Sequence, residues 1–240
     1  MNPSVTVYFG AHIDDVFLGA FSHLAQNESG KKILVCTTDN IPSPIDYPNA
    51  YRDINPSNYR IQLNREVSRV CAAANIDQYI ELAIPDGKSL LNIESMAREI
   101  ENILSTYRPM CVVFPTYEGG HIDHEILSLI VGRHHTIEEM LEYALYHKTD
   151  AHTYVHNTFP NGQHQLKLPP QILQKKKDTL ALLHTKQADI SYFNQPELES
   201  IRAYQLPDLT NKPAEYLLYE HSQNTTYDEL IQSLQNAKII

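Results

Sequence analysis

Two short runs of this chain carry residue types that could do chemistry together. His12-Ile13-Asp14-Asp15 and Gly119-Gly120-His121-Ile122-Asp123-His124 concentrate three histidines and three aspartates. Imidazole nitrogens and carboxylate oxygens are the donor set of a catalytic zinc, which takes three protein ligands and leaves its fourth position to water. Such a water has its pKa lowered to ~7 and becomes a nucleophile at neutral pH. A carboxylate left off the metal could accept its proton, and a remaining histidine could face a substrate carbonyl. Either run alone is a pattern that chance produces. Two of them at matching places in one fold are far more specific. The residue types alone leave open which of the six bind metal and which stay free.

Something must bring together runs more than a hundred residues apart. Val5–Gly10, Ile33–Thr38, Tyr79–Ile84 and Cys111–Pro115 are short β-branched or aromatic runs followed by turn residues, as expected of strands buried on both faces. Between them Leu63, Val67, Val70, Cys71 and Ala74 fall on one helical face, as do Ile93, Met96, Ile100, Ile103 and Tyr107. Asn92 stands where it could cap the second helix, with Glu94 in the first turn. This alternation predicts a Rossmann-like α/β fold, a mainly parallel sheet with helices on both faces. In such sheets the strand order reverses beside the first strand, and ligands bind there at the carboxyl ends. The two runs follow strands one and four, so they would face each other across that crevice.

The second half is less regular. Residues 125–146 read as helical, Pro169-Pro170 opens a helix to about Ala188, and Ala214–Tyr219 reads as a late strand. Thr226 with Glu229 resembles a capping box. No repeat or linker divides the chain, so residues 1–240 are expected to form one domain.

Composition narrows the function classes. Nineteen basic residues against twenty-nine acidic ones give a net charge of −10 over 240 residues, a poor match to a phosphate backbone. No nucleic-acid partner is expected. No run reaches the ~18 apolar residues of a membrane span, and the first residues do not resemble a signal peptide. Cys36, Cys71 and Cys111 sit singly in apolar segments, which reads as reduced thiols in a cytoplasmic protein.

His12-Ile13-Asp14-Asp15, Pro85-Asp86-Gly87 and Gly120-His121-Ile122-Asp123-His124 resemble, in order and spacing, the motifs of the LmbE-like or PIG-L-like zinc de-N-acetylases. The resemblance is good over residues 4–135 and weaker beyond, where Lys177, His184 and Gln187 are similar to a common family segment. It implies Zn2+ held by His12, Asp15 and His124, with another divalent metal compatible with such a site. It implies Asp14 as general base, His121 as oxyanion stabiliser or proton donor to the leaving amine, and Asp123 as a residue that orients a histidine. The implied partner is a small N-acetylated substrate, usually an N-acetylglucosamine joined to another moiety, and a homo-oligomer is compatible with the family's habits. The chain departs from the pattern at Ile13 and Ile122, where proline is usual, and at Val16, where glutamate is usual. Leu63 and Gly119 likewise replace a usual arginine and tyrosine. None of these positions is a ligand or the base.

Tyr47, Tyr51, Arg52, Tyr59, Arg60 and Tyr117 are candidates for stacking on and hydrogen-bonding a sugar, most of them in the long, proline-rich connection 40–61. Asp86 and Gly87 read as a turn and Lys175-Lys176-Lys177 as a solvated face. His184 reads as a core-edge residue. His147, His152, His156 and His164 read as solvated loop histidines, some of them lining the cleft. Hydrolysis of another acyl or thiol-conjugate amide, or sugar binding without turnover, are the competing functions.

Overall fold

A computed structural model describes residues 4–27, 30–42, 53–162, 165–192 and 196–240. The first half contains β1 (Val5–Gly10), α1 (Asp15–Gly19), α2 (Phe21–Gln26), β2 (Lys31–Thr38), α3 (Pro56–Ala73), β3 (Gln78–Ile84), α4 (Ile93–Tyr107) and β4 (Cys111–Pro115). After it come α5 (Ile122–Gly132), β5 (Glu139–Tyr143), β6 (Tyr146–Lys148), β7 (Tyr154–His156), β8 (Leu166–Lys167) and α6 (Pro170–Leu180). The chain closes with α7 (Gln187–Tyr192), β9 (Leu198–Glu199), β10 (Ile201–Ala203), α8 (Leu218–Ser222) and α9 (Tyr227–Asn236).

Six strands form one sheet in the order β10-β5-β4-β1-β2-β3, all parallel except the antiparallel edge pair β10–β5. Side chains alternate across a strand, and both faces are covered. Val7, Phe9, Ile33, Val35, Val112 and Phe114 pack against α4, α5 and α9 through residues such as Met96, Ile126 and Leu230. Tyr8, Leu34, Cys36 and Val113 pack the other way, against Phe17, Phe21, Leu63 and Leu180 of α1, α2, α3 and α6. This is the Rossmann-like arrangement the sequence predicts. The order reverses between β1 and β4, which pair through Tyr8 and Val113.

Several local expectations need correction. The helix read over 125–146 ends at Gly132, and Glu139–Tyr143 instead joins the sheet beside β4. Glu, Met and Leu favour a helix locally, but an open sheet edge outweighs that preference. The helix opening at Pro170 breaks after Leu180. There the buried Glu66 accepts both the Thr185 N–H and its hydroxyl and fixes a 3-10 turn, His184–Lys186, in which His184 is exposed. Ala214–Tyr219 is not a strand: Tyr216 makes a single bridge to Lys148, and Leu218 already begins α8. Asn92 occupies the N-cap of α4 but its amide donates back to Lys88 O. The capping box of Thr226 and Glu229 forms as expected.

Lys176 is fully buried rather than solvated, its ammonium bonded to Leu18 O and Glu199. The three cysteines are free thiols, Cys36 and Cys111 buried. Among the described residues no helix is long and apolar enough to cross a membrane.

Candidate metal centre

The two turns meet because their strands are neighbours. His12 lies two residues past the end of β1, where its N–H donates to Asp15 Oδ2 at 2.8 Å. Asn40 and Thr38, at the end of β2, brace this turn: Asn40 Oδ1 accepts the Ile13 N–H and the Thr38 hydroxyl donates to Ala11 O. His124 stands in the first turn of α5, after β4. His12 Nδ1 lies 3.3 Å from His124 Nε2 and 3.7 Å from Asp15 Oδ2, and His124 Nε2 lies 3.3 Å from the same oxygen. Three electron-pair donors thus converge on one point, and all three side chains are buried. Ligands at ~2.0–2.1 Å around a tetrahedral zinc stand roughly 3.3 Å apart, so the trio fits a divalent metal in both chemistry and spacing.

The other nitrogen of His12 faces a second set of carboxylates. Its Nε2 lies 3.1 Å from Asp86 Oδ1 and 3.7 Å from Asp123 Oδ2. His12, Asp86, His121 and Asp123 are themselves close enough to form a donor group. The carboxylates there are already engaged, however. Asp123 accepts the Gly87 N–H at 2.8 Å and the Ser89 N–H at 3.1 Å, and Asp86 takes the outer nitrogen of His12. A carboxylate behind a ligating imidazole fixes its ring and tautomer. Asp86 is therefore more than a turn residue.

The electrostatics favour positive charge at this point. Burial alone would push the His12 pKa down, but Asp86, Asp123 and Asp15 together raise it well above the usual imidazole value. Against the same burial penalty, the surrounding histidines hold Asp15 well below the carboxylate range and bring Asp123 to about 2. Asp86 is lowered too, by His12 and by the buried Lys186. His121 behaves differently: burial takes it to about 4, so it is neutral at pH 7. It caps α5, with Nδ1 accepting the Asp123 N–H and Nε2 2.8 Å from the amide of Gln223. Gln223 also accepts the Ile122 N–H.

Asp14 is buried at the N-cap of α1, between the candidate ligands His12 and Asp15 in sequence, and its carboxylate does not cap the helix. Two further buried acids hold the other turn. Glu125 Oε1 accepts the N–H groups of Glu118, Gly119 and Gly120, and its pKa rises to about 8 on burial. Glu118 Oε1 accepts the N–H groups of Leu145 and Tyr146. Gly119 has φ +83°, and a Cβ on Gly120 would collide with Tyr146 O. Asn40, Glu118, Glu125 and Gln223 are structural partners that no sequence pattern announces; Asp86, which the sequence reads as a turn residue, stands behind His12 at 3.1 Å.

The candidate substrate residues fare less well. Tyr59 is buried and donates to Thr185 O, so it serves the core. Arg60 pairs with Glu81 at 2.9 Å and approaches Asp39, bracing the ends of β2 and β3. Tyr117 is buried in the core with Leu217 and Tyr219. Tyr59 and Tyr117 are thus packed in the core, whereas Arg60 stays partly exposed beside Asp39, whose carboxylate accepts the Asp86 N–H. Tyr47, Tyr51 and Arg52 lie outside the described residues, as does His164. His147 is buried beside Glu118 and His156 is half-buried, so neither is a solvated loop residue.

Fold and site together define a Rossmann-like α/β protein whose cluster of nitrogen and oxygen donors sits at the strand-order reversal. Residues 7–134 match the family described as PIG-L: GlcNAc-PI de-N-acetylase. That is more than half of the chain, which belongs to this family and is an amide hydrolase. Solved structures agree on the fold. N,N'-diacetylchitobiose deacetylase from Pyrococcus horikoshii superposes with a TM-score of 0.61 at 11% identity, covering 84% of each chain. The A40926 pseudoaglycone deacetylase Dbv21 gives 0.58 at 13%, covering 86% of this chain and 100% of that one. GalB, the 4-carboxy-2-hydroxymuconate hydratase from Pseudomonas putida KT2440, gives 0.57 at 10%, covering 85% and 98%. The scaffold therefore carries more than one chemistry, and the reaction must be argued from the site.

Proposed function

We propose that this protein is a zinc-dependent deacetylase that removes the acetyl group from an N-acetylated amino sugar, itself joined to a further moiety. The observation that carries this reading is the convergence of His12 Nδ1, Asp15 Oδ2 and His124 Nε2 within 3.3–3.7 Å of one another. These three would hold the metal, which when bound supplies Lewis acidity to the amide carbonyl and lowers the pKa of a water. The family membership and the deacetylases among its structural neighbours support the same reaction class.

The chain's own residues supply the proton traffic. Asp14 takes a proton from the attacking water, whose oxygen bonds to the acetyl carbon. His121, neutral at pH 7, stands beside the trio to stabilise charge growing on the carbonyl oxygen. The C–N bond then breaks, the amine nitrogen takes the proton that Asp14 had accepted, and acetic acid leaves, releasing the water's second proton to become acetate at pH 7. Asp86 and Asp123 keep the His12 ring fixed throughout. We read residues 1–240 as one domain, because the C-terminal Gln223 braces His121 and α9 packs on the sheet.

Acetate release by zinc-loaded protein from a panel of N-acetylglucosamine conjugates tests this reading. Asp14→Asn is expected to keep its zinc and lose about 10²–10⁴ in kcat, the range of a general base. Turnover by that variant within a few-fold of the parent removes Asp14 from this role. Release of a different acid would move the reaction to another acyl group.

A further inference from the structure

The two candidate histidine ligands are supported differently. His12 has its outer nitrogen met by Asp86 at 3.1 Å. His124 presents Nε2 to the cluster, 3.3 Å from both His12 Nδ1 and Asp15 Oδ2. Its other nitrogen, Nδ1, is buried and makes no hydrogen bond with any described residue. His124 is 1% exposed, so bulk solvent does not reach that atom either. A neutral imidazole that gives one nitrogen to a metal carries its proton on the other. Bound through Nε2, His124 would hold a buried Nδ1–H, which is costly unless something accepts it.

Four residues on, α5 carries a second atom in the same condition. Ser128 is buried too, and its Oγ has no hydrogen-bond partner among the described residues. Positions i and i+4 are neighbours on one helical face, with Cβ atoms about 5–6 Å apart. Helical side chains lean toward the N-terminus, so the Ser128 hydroxyl leans back toward the turn that holds His124. Nδ1 is the ring nitrogen nearer the backbone, within reach of that hydroxyl, whereas Nε2 is the one that extends to the cluster. The acids that flank His124 direct their carboxylates elsewhere. Asp123 accepts the Gly87 and Ser89 N–H groups, and Glu125 Oε1 accepts those of Glu118, Gly119 and Gly120. Tyr146 closes another side of the ring, edge-on with centroids 5.6 Å apart.

We propose that Ser128 is a positioning residue of the metal centre, its hydroxyl accepting the Nδ1–H of His124 and fixing that ring with Nε2 toward the metal. The inference rests on the reading of His124 as a metal ligand and deepens it. Two buried polar atoms that each lack a partner satisfy one another in a single contact, reached by turning the serine between staggered rotamers. The hydroxyl has lone pairs to accept with and a rotatable proton of its own. The two histidines are then held by different chemistry. A carboxylate behind His12 orients its ring and strengthens the bound nitrogen, whereas a neutral hydroxyl behind His124 orients the ring through a weaker bond.

Zinc affinity of Ser128→Ala and its parent, read by competition with a chelator, tests this. The variant is expected to bind zinc about three- to tenfold more weakly, the contribution of one neutral hydrogen bond. Its metal-free form is expected to melt within a few degrees of the parent. The histidine-ring 1H–15N spectrum of the zinc-loaded protein gives a readout that packing alone would leave in place. There the His124 Nδ1–H signal is expected to move upfield in Ser128→Ala, as a proton that has lost its acceptor does. An affinity within twofold of the parent, an unmoved Nδ1–H signal, or a metal-free melting temperature that collapses each overturn the pairing. Acetate release by the parent separates the two ideas. Zinc bound without acetate from any N-acetylated sugar sinks the deacetylase reading, while the affinity difference still decides the role of Ser128. A parent that binds no zinc overturns both.

Discussion

His12 works with both of its nitrogens. Nδ1 faces Asp15 and His124, and Nε2 faces Asp86 at 3.1 Å. With a metal on Nδ1, the proton must sit on Nε2 and be donated to Asp86, which pins the ring and strengthens the bound nitrogen as a donor. Asp86→Ala is therefore expected to weaken zinc binding about 10- to 100-fold while the protein stays folded. Competition with a chelator of known affinity reads this directly, and a change below threefold would show that Asp86 does not act through the ligand. The motif histidines and aspartates are legible in the sequence because their chemistry is packed into adjacent positions. Gln223 is not. It reaches His121 from about a hundred residues away, on a loop with no distinguishing composition, and only the packing of the C-terminal segment brings it there.

At the scale of elements, the central strands read clearly because each is a short apolar run buried on both faces. The failures lie where tertiary contacts set the boundaries. β5 is written in helix-forming residues and is a strand because β4 offers it an edge. The helix from Pro170 stops because Glu66 captures Thr185. The sharpest case is Lys176, the middle member of a three-lysine run. Its ammonium bonds Glu199 at 2.8 Å and Leu18 O at 2.6 Å, with both charged side chains fully buried. Glu199 also accepts the Phe21 and Ser22 N–H groups and the Ser22 hydroxyl, so a single carboxylate from β9 serves as the cap of α2. Removing one partner of such a pair strands the other charge in the interior, a cost of about 3–5 kcal/mol. Lys176→Met is expected to lose that much stability in urea unfolding, with Lys175→Met as the surface comparison. A loss below about 1 kcal/mol would mean that Glu199 is satisfied by its helix-capping bonds alone.

Across the whole molecule, the candidate centre is a junction between parts that are far apart in sequence. The turn after β1, the Asp86 turn after β3, the start of α5 and the Gln223 loop all meet there, and the two faces of the sheet pack behind them. Without metal, the raised His12 pKa keeps a proton facing Asp15, and a bound divalent ion would take that proton's place. A ligand that binds only the assembled site stabilises the fold by RT ln(1 + [L]/Kd), about 4 kcal/mol when free ligand is a thousandfold above Kd. For a chain of this size each kcal/mol moves Tm by roughly 2–4 °C. Zinc in that excess is thus expected to raise Tm by about 10 °C over protein stripped with a chelator, and other divalent ions to do so according to their affinity. His124→Ala removes one of the three donors and is expected to abolish most of the zinc-dependent shift. The metal-free variant should still melt as a folded protein. A melting temperature indifferent to both zinc and chelator would mean that the trio does not hold the ion, whatever its spacing suggests.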